Sequence, residues 1–197
     1  MATNKRYTVK FRRSRLRKTD YRSRLRLLVS RKSRLVIRKS INQICLQIVD
    51  YDKTGDRTGL TLHSNKLKKY GWKYKLNNLP ASYLSGLLLG LEAKKKGIKE
   101  LVLDIGVRTS VKGSVIYSAL KGVVDSGIKI PHNPDVLPNQ DRLKGKHISD
   151  YALLLKKNPE IYKKEFSRYL KNNVNPEDIT KNFDYVKEKI LNENKNA

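Results

Sequence analysis

The spacing of apolar residues predicts strands in the first third of the chain. Apolar side chains in residues 35–37, 43–51 and 58–64 follow the short period of β-strands. Residues 43–51 carry apolar side chains on both faces, which predicts a central strand. Residues 52–56 have the composition of a turn, at the spacing of a hairpin. The pattern therefore predicts a meander of three antiparallel strands.

Beyond residue 64 the apolar period lengthens to that of a helix. Four leucines between residues 84 and 91 recur at i, i+3, i+4 and i+7, which predicts a helix with one face in the core. Asn78 or Ser82 is suited to cap this helix, and Gly97 follows its end. The helix is therefore expected to run to about Lys96.

A second alternation of strand and helix follows. Residues 100–104 predict a buried strand, and residues 114–126 predict a helix with an apolar face. Residues 128–130 predict a fifth strand, which Pro131 ends. The order β-β-β-α-β-α-β predicts an α/β fold, with a mixed five-stranded sheet, helices packed on it and right-handed crossovers.

The distribution of charge changes this picture most at the N-terminus. The chain has 44 Lys and Arg against 18 Asp and Glu, a formal net charge of +26. Sixteen of these basic residues lie in the first forty positions, beside the single acid Asp20. Concentrated positive charge is typical of a nucleic-acid binding site. The alternatives are binding to a membrane surface and unspecific binding to any polyanion. No apolar run predicts a membrane span, and no apolar stretch after Met1 predicts a secretory signal.

Charge and periodicity together predict three segments. Residues 1–33 form a basic arm, residues 34–133 the α/β core domain, and residues 134–197 a loop followed by a C-terminal helical extension. The arm has a weak apolar stripe over residues 20–28, typical of a short helix. Its apolar surface is too small to offset the entropy of ordering, so we expect the arm to be mobile until RNA orders it.

From His147 onward the extension has ten basic and eight acidic residues, and we expect its helices to dock on the core, on RNA or on a protein neighbour.

Arginine outnumbers lysine in the arm, and aromatic residues lie between the cations. A guanidinium binds phosphate through two parallel hydrogen bonds, and aromatic rings stack on unpaired bases. These properties favour structured RNA as the partner. The predicted RNA-binding residues in and beside the arm are Arg6, Tyr7, Lys10, Phe11, Arg12, Arg13, Arg15, Arg17, Lys18, Tyr21, Arg22, Arg24, Arg26, Arg31, Lys32, Arg34, Arg38 and Lys39.

Two places in the core are further candidates for RNA contact. Lys69 and Trp72 belong to a group of aromatic and basic residues, for which base stacking and packing against the sheet edge are equal alternatives. His132 follows Pro131 and either fixes a turn or contacts RNA.

The loop of residues 106–113 opens the second predicted helix and is a candidate phosphate site. Ser114 and the free N–H groups of that helix can hold an anion, with Arg108 and Lys112 adding charge. A solvated loop is the alternative. The order Lys-Gly-Ser differs from the Gly-Lys-Ser/Thr of a P-loop, so the sequence does not favour ATP binding.

Catalysis and metal binding have weak support in the sequence. Asp104 ends the fourth predicted strand, and Asp50 and Glu92 are conceivable companions in a two-metal site. The alternative is that Asp104 caps the next loop or pairs with a basic residue. The three histidines are far apart and the single cysteine, Cys45, lies in an apolar run, so we expect no metal, no cofactor and no internal disulfide.

Several short motifs, in one order along nearly the whole chain, resemble those of the large-subunit ribosomal protein eighteen family, which binds 5S rRNA. The likeness is to its long archaeal form, which is related to eukaryotic large-subunit protein five. Each motif is weak alone, and their joint order makes the resemblance specific. The motifs occupy residues 11–15, 19–27, 69–72, 83–88, 103–106, 130–133, 147–151 and 162–166.

The resemblance implies a ribonuclease H-like α/β fold with a five-stranded mixed sheet. It also implies a non-catalytic structural role in the central protuberance of the large ribosomal subunit, in the cytoplasm. The implied partners are 5S rRNA, 23S rRNA and neighbouring ribosomal proteins, with no membrane and no small-molecule substrate. The C-terminal extension without larger insertions favours an archaeal source.

Overall fold

The computed structural model describes residues 8–195. Its strands form one mixed sheet in the order β3-β2-β1-β4, in which β1 and β3 are antiparallel to β2 and β4 is parallel to β1. The predicted meander of three antiparallel strands is confirmed. The strands are β1 (Arg34–Lys39), β2 (Ile44–Asp50), β3 (Arg57–His63) and β4 (Val102–Asp104).

Helices surround this sheet and occupy most of the C-terminal part. The helices are α1 (Arg12–Arg15), α2 (Tyr21–Val29), α3 (Leu79–Lys95), α4 (Val115–Asp125), α5 (Gln140–Lys144), α6 (Lys146–Leu155), α7 (Pro159–Glu165), α8 (Ser167–Lys171) and α9 (Ile179–Lys195). Short 3₁₀ helices occupy Ser64–Tyr70, Pro134–Val136 and Pro176–Asp178.

Helix α3 begins at the first of its two predicted caps. The Asn78 side chain accepts a hydrogen bond from the Ala81 N–H at 3.0 Å, which satisfies one of the free N–H groups of the first turn. Ser82 lies inside the helix instead, and its hydroxyl donates to the carbonyl of Val115 at 2.6 Å. This bond joins α3 to the first turn of α4.

Two glycines allow α3 and α4 to pack against each other at very short range. A Cβ atom at Gly86 would lie 2.1 Å from the carbonyl oxygen of Ala119. A Cβ at Gly122 would lie 2.2 Å from the carbonyl oxygen of Tyr83. Any larger residue at either position would force the helices apart, so the close contact depends on glycine at both.

The helix pair covers one face of the sheet and leaves the other face to the arm. Leu35 and Ile37 of β1 are buried beneath the helices, as are Leu46 and Ile48 of β2. Because side chains alternate along a strand, Arg34 and its neighbours at every second position of β1 lie on the opposite face. The charges of Arg34 and Arg38 are therefore on the side away from the helix pair, whereas Lys39, at the end of the strand, shares the face of Leu35 and Ile37.

The predicted fifth strand is not part of the sheet. Residues 128–130 make a single parallel bridge, between Lys129 and Glu100, with backbone hydrogen bonds of 3.0 Å on either side of it. Pro131 has no N–H to continue the pairing. Ile128 and Ile130 are nonetheless buried, so their alternation reports contact with the core rather than membership of the sheet. Among residues 8–195 the sheet has four strands, so the prediction of a fifth strand is not confirmed.

The arm contributes one cap-stabilised helix. The carboxylate of Asp20 accepts from the N–H groups of Arg22 and Ser23, at 3.0 and 3.3 Å, and this fixes the first turn of α2. The helix predicted over residues 20–28 is confirmed. Neither α1 nor α2 has a buried residue.

The C-terminal extension is built in the opposite way. Phe183, Val186 and Ile190 of α9 are at most 2% exposed and belong to the main hydrophobic core. The prediction of a loop between the core and the extension is wrong for α5, where Leu143 is buried. One apolar residue was too weak a signal to predict a five-residue helix.

Candidate nucleic-acid interface

A groove lies between the arm and the uncovered face of the sheet. Both α2 and the sheet contribute side chains to it. Seven of the predicted RNA-binding residues come together there, although they are spread over 26 positions of the sequence. They are Arg13, Arg17, Lys18, Tyr21, Arg24, Arg34 and Arg38.

One of these residues, Arg34, is buried inside the protein and does not point outward to a binding partner. Its side chain is only 3% exposed, and its guanidinium donates to Asp104 and Asp56, each at 2.7 Å. Both terminal nitrogens are thus committed to carboxylates inside the protein, and the Nε atom is buried without a hydrogen bond. The structure therefore does not support the prediction that Arg34 binds RNA. Its charge instead compensates two carboxylates that would otherwise lie together beneath the arm.

Asp56 connects this buried arginine to helix α2. Arg24 donates two parallel hydrogen bonds of 2.8 Å to the two oxygens of Asp56. These bonds, together with the one from Arg34, hold the pKa of the Asp56 carboxyl below its usual value. The arm is thus attached to the core by charge, because it buries no apolar side chain in α1 or α2.

A second ion pair holds the end of the arm. Lys32 donates to Glu100 at 2.5 Å, and this hydrogen bond lowers the pKa of Glu100. Glu100 lies two residues before β4, whereas Asp56 lies one residue before β3. Acidic residues at two points of the core thus fix the direction of the arm.

The other cations of the arm are exposed. Over residues 8–195 none of them lies within 4 Å of a carboxylate, and Arg13 alone has a side-chain partner, the hydroxyl of Thr19 at 2.9 Å. These groups are free to contact phosphate. They are Lys10, Arg12, Arg13, Arg15, Arg17, Lys18, Arg22, Arg26 and Arg31. Arg6 and Tyr7 lie outside the described residues.

Two aromatic residues of the arm form a pair on its surface. The rings of Phe11 and Tyr21 are 5.2 Å apart and tilted by 56°. Phe11 is 73% exposed and Tyr21 38% exposed, so the pair displays ring surface to the outside. Exposed rings among arginines provide the surface on which unpaired bases stack.

A second basic pocket lies at the start of α4, where a phosphate site was predicted. Lys39, Arg108 and Ser114 line it. The Ser114 side chain makes no capping bond, and its hydroxyl oxygen is buried without a partner among the described residues. Lys112 is exposed beside the pocket but does not line it.

The sequence did not indicate a further cation of this pocket, Arg142. Its guanidinium lies over Gly113, where an added Cβ would be 3.8 Å from it. Arg142 belongs to α5, in the segment predicted as a loop, and no motif or charge cluster distinguishes it in the sequence. It is brought to the pocket by the packing of Leu143.

The remaining predicted contacts divide between exposed and buried positions. Lys69 is exposed, but Trp72 is 2% exposed and its indole N–H donates to the carbonyl of Lys75 at 3.2 Å. The burial of Trp72 favours the alternative in which it packs within the protein. The ring of His132 is 2.7 Å from the carbonyl oxygen of Ile130, as expected of a side chain that fixes a turn.

Asp104 has the structural role that the sequence offered as the alternative to catalysis. It pairs with Arg34, and its other oxygen accepts from the N–H of Gly106 at 2.9 Å. Between residues 8 and 195, no group of three or more His, Cys, Asp or Glu is placed to hold a metal ion. No described helix is long and apolar enough to cross a membrane.

Comparison with known proteins identifies the family. A family model described as "Ribosomal large subunit proteins 60S L5, and 50S L18" matches residues 5–97 and 91–133. A large ribosomal subunit protein uL18 of Methanococcus maripaludis is 47% identical over 192 residues, which is 98% of this chain and all of the relative. The chain belongs to the L5/L18 family of ribosomal large-subunit proteins.

Membership of the L5/L18 family resolves the alternatives that charge left open. The chain is a structural protein of the large ribosomal subunit and is not an enzyme. The family model spans the arm and the core, whereas the relative from Methanococcus maripaludis also covers the extension. The partners of a protein of the large ribosomal subunit are rRNA and other ribosomal proteins.

Proposed function

We propose that this chain binds 5S rRNA and attaches it to 23S rRNA in the central protuberance of the large subunit. The observation that carries the proposal is the arm itself. Nine exposed cations without carboxylate partners surround the exposed Phe11–Tyr21 pair in residues 8–33. Phosphate contacts supply affinity, and unpaired bases on the ring pair supply preference for a folded RNA over a regular duplex.

The proposed RNA contacts lie in two places, the groove between the arm and the sheet and the pocket at Ser114. The groove between arm and sheet holds one stretch of RNA backbone, through the cations that have no partner inside the protein. The pocket at Ser114 holds a phosphate, where the free N–H groups of α4 add to Arg108 and Arg142. Arg24 acts differently, because it positions α2 through Asp56 rather than facing outward.

We further propose the division into an arm of residues 1–33, a core of residues 34–133 and an extension of residues 134–197. The core is proposed to be a ribonuclease H-like fold that retains four regular strands. Two features support this: the strand order β3-β2-β1-β4 and the parallel bridge from Glu100 to Lys129. The bridge lies where a fifth strand would continue the sheet beyond β4.

Competition between RNAs tests the proposed partner. Labelled 5S rRNA is bound to the full chain at about 150 mM salt, where unspecific attraction is screened, and excess tRNA is added. The proposal predicts that unlabelled 5S rRNA displaces the label at far lower concentration than tRNA does. Equal displacement by tRNA would show a general polyanion binder and would overturn it.

A further inference from the structure

A second basic groove shares no lining residue with the groove between the arm and the sheet. It is formed by the turn between β1 and β2, the loop that follows the Ser64–Tyr70 helix, and the junction of α7 and α8. Four exposed cations line it beside one acid, Glu165. The cations are Lys68, Lys73, Lys75 and Arg168.

These four cations have no carboxylate partner, in contrast to many lysines elsewhere. Within residues 8–195 none of them lies within 4 Å of an acidic oxygen, whereas Lys66 pairs with Glu92 and Lys156 with Glu177. Like charges that line one groove repel each other when it is empty. A polyanion in the groove removes that repulsion and releases its own counterions.

The floor of the groove is aromatic and rigid. Tyr74 and Tyr169 meet edge to face, with ring centroids 5.6 Å apart, and the Tyr74 hydroxyl donates to the carbonyl of Asn175 at 2.7 Å. Phe166 stacks on the far side of Tyr169 at 6.0 Å. The floor therefore does not need to reorganise when a partner binds.

The rim of the groove displays an apolar side chain on a fixed turn. Ile41 is 86% exposed, yet its carbonyl accepts a hydrogen bond from the Asn77 side chain. Gln43 forms a parallel bridge with Leu76, which joins the same turn to the neighbouring loop. The turn is thus held in place while its side chain remains uncovered. Exposed cations beside an exposed apolar side chain at the rim resemble the positively charged grooves that follow the backbone of single-stranded nucleic acid.

This groove is distinct from the interface of the arm. The two grooves share no lining residue. The groove of the arm extends along β1 as far as Arg38, whereas Ile41 and Asn42 of the following turn line the second groove. An RNA segment in one groove therefore contacts different residues from a segment in the other.

We propose that this groove is a second RNA-binding site, which takes an unpaired rRNA segment different from the one held by the arm. The proposal rests on the proposed function in that the polyanion is rRNA. Lys73, Lys75 and Arg168 contact phosphates, while Ile41 packs against a base at the rim. The chain would then hold two RNA segments, in two grooves that share no lining residue.

A titration with a short RNA tests this site. The full chain is first saturated with 5S rRNA, and a labelled oligouridine of twelve nucleotides is added at several salt concentrations. We expect the complex to bind the oligonucleotide. The variant K73A/K75A/R168A should bind it at least about tenfold more weakly, with a slope of log affinity against log salt smaller by about 2, because three phosphate contacts are lost.

The matched control removes the same charge from another exposed surface. The variant K94A/K95A/K99A, at the end of α3 and in the loop that follows it, should bind the oligonucleotide within about twofold of the unmodified chain. Both variants change exposed side chains without ion pairs, so urea unfolding should show equal stability. Equal affinity of the two variants for the oligonucleotide, or no binding by the unmodified complex, would overturn the proposal.

Two further measurements distinguish this proposal from its alternatives. Displacement of the oligonucleotide by a peptide of twelve glutamates, at equal or lower concentration, would indicate a site for an acidic protein and would also overturn it. The affinity for 5S rRNA is measured in the first step, when the chain is saturated with that RNA. If tRNA competes equally there, the proposed 5S function fails, while the difference between the two variants still decides the second site.

Discussion

The two ends of this chain are attached to the same core by different forces. The arm, residues 1–33, buries no residue in α1 or α2 and is held by the ion pairs of Arg24 with Asp56 and of Lys32 with Glu100. The extension, residues 134–197, places Phe183 in the main core. Exposed ion pairs contribute about 0 to 1 kcal/mol each, whereas a buried aromatic side chain contributes several times more.

This difference shows what each end is suited to do. An end that is held by charge can exchange its carboxylate partners for phosphates, and so changes partner at small cost in free energy. An end that is held by apolar contacts keeps its place whatever the ionic conditions. The arm is thus suited to follow RNA, and α9 to complete the core.

Removal of the arm is expected to give the largest effect. Deleting residues 1–20 removes eight basic residues, and the affinity for 5S rRNA should fall by about a thousandfold at 150 mM salt. The slope of log affinity against log salt should fall by about 4. Filter binding at several salt concentrations measures both. The urea midpoint should stay within error of the full chain, and an unchanged salt slope would contradict the role of the arm.

A pair of truncations compares apolar attachment at the two ends. Phe183→Ala should lower the free energy of unfolding by about 3 to 4 kcal/mol, because the side chain is 2% exposed and packs 5.6 Å from the ring of Tyr83. Leu25→Ala, at a position 66% exposed on α2, should change it by less than about 0.5 kcal/mol. Urea unfolding measures both, and equal losses would remove the distinction between the ends.

The charged cluster beneath the arm allows a second comparison. Arg34→Ala should destabilise the protein by about 3 kcal/mol, because it leaves Asp104 and Asp56 without their buried counterion. Arg24→Ala, which removes the partner on the arm, should cost less than about 1 kcal/mol. The same unfolding experiment serves here. A greater loss with Arg24→Ala would mean that the arm, rather than the core, depends on this cluster.

The smallest effect is expected from pH. The pKa of Asp56 is lowered in the folded state, so its contribution to stability is present above the usual carboxyl pKa of about 4 and is lost as the pH falls through the lowered value. Unfolding is measured at pH 5 and pH 3 for the unmodified chain and for Asp56→Asn. The unmodified chain should lose about 1 kcal/mol or less beyond the loss of the variant. Parallel pH profiles would mean that the Arg24–Asp56 pair contributes nothing.

The sequence was a good guide to the regular elements of the core. The leucine stripe of residues 84–91 and the alternation in β2 predicted α3 and a central strand, because one period of apolar residues determines each. Residues 128–130 also alternate, but they do not form a strand of the sheet. Alternating apolar residues indicate which side chains are buried, and they do not require a hydrogen-bonded neighbouring strand.

The site was less predictable because its residues meet only in three dimensions. Arg34 lies in a basic segment whose neighbouring arginines, Arg31 and Arg38, are exposed, and nothing in the sequence shows that Asp56 and Asp104 converge on it. Arg142 reaches the Ser114 pocket through the packing of a short helix. Charge density predicted the arm as a whole, whereas ion pairs with Asp56 and Glu100 engage two of its cations, Arg24 and Lys32.

The most direct test of the account compares one position on each end of the chain. A photo-crosslinking phenylalanine is placed at Phe11 of the arm or at Tyr185 of α9, which are 73% and 58% exposed. Each full chain is irradiated in complex with 5S rRNA, and crosslinked RNA is measured. If the arm carries the RNA contact, position 11 should give a strong crosslink and position 185 little. Equal crosslinking from both, or more from position 185, would contradict the claim that the arm carries the RNA contact.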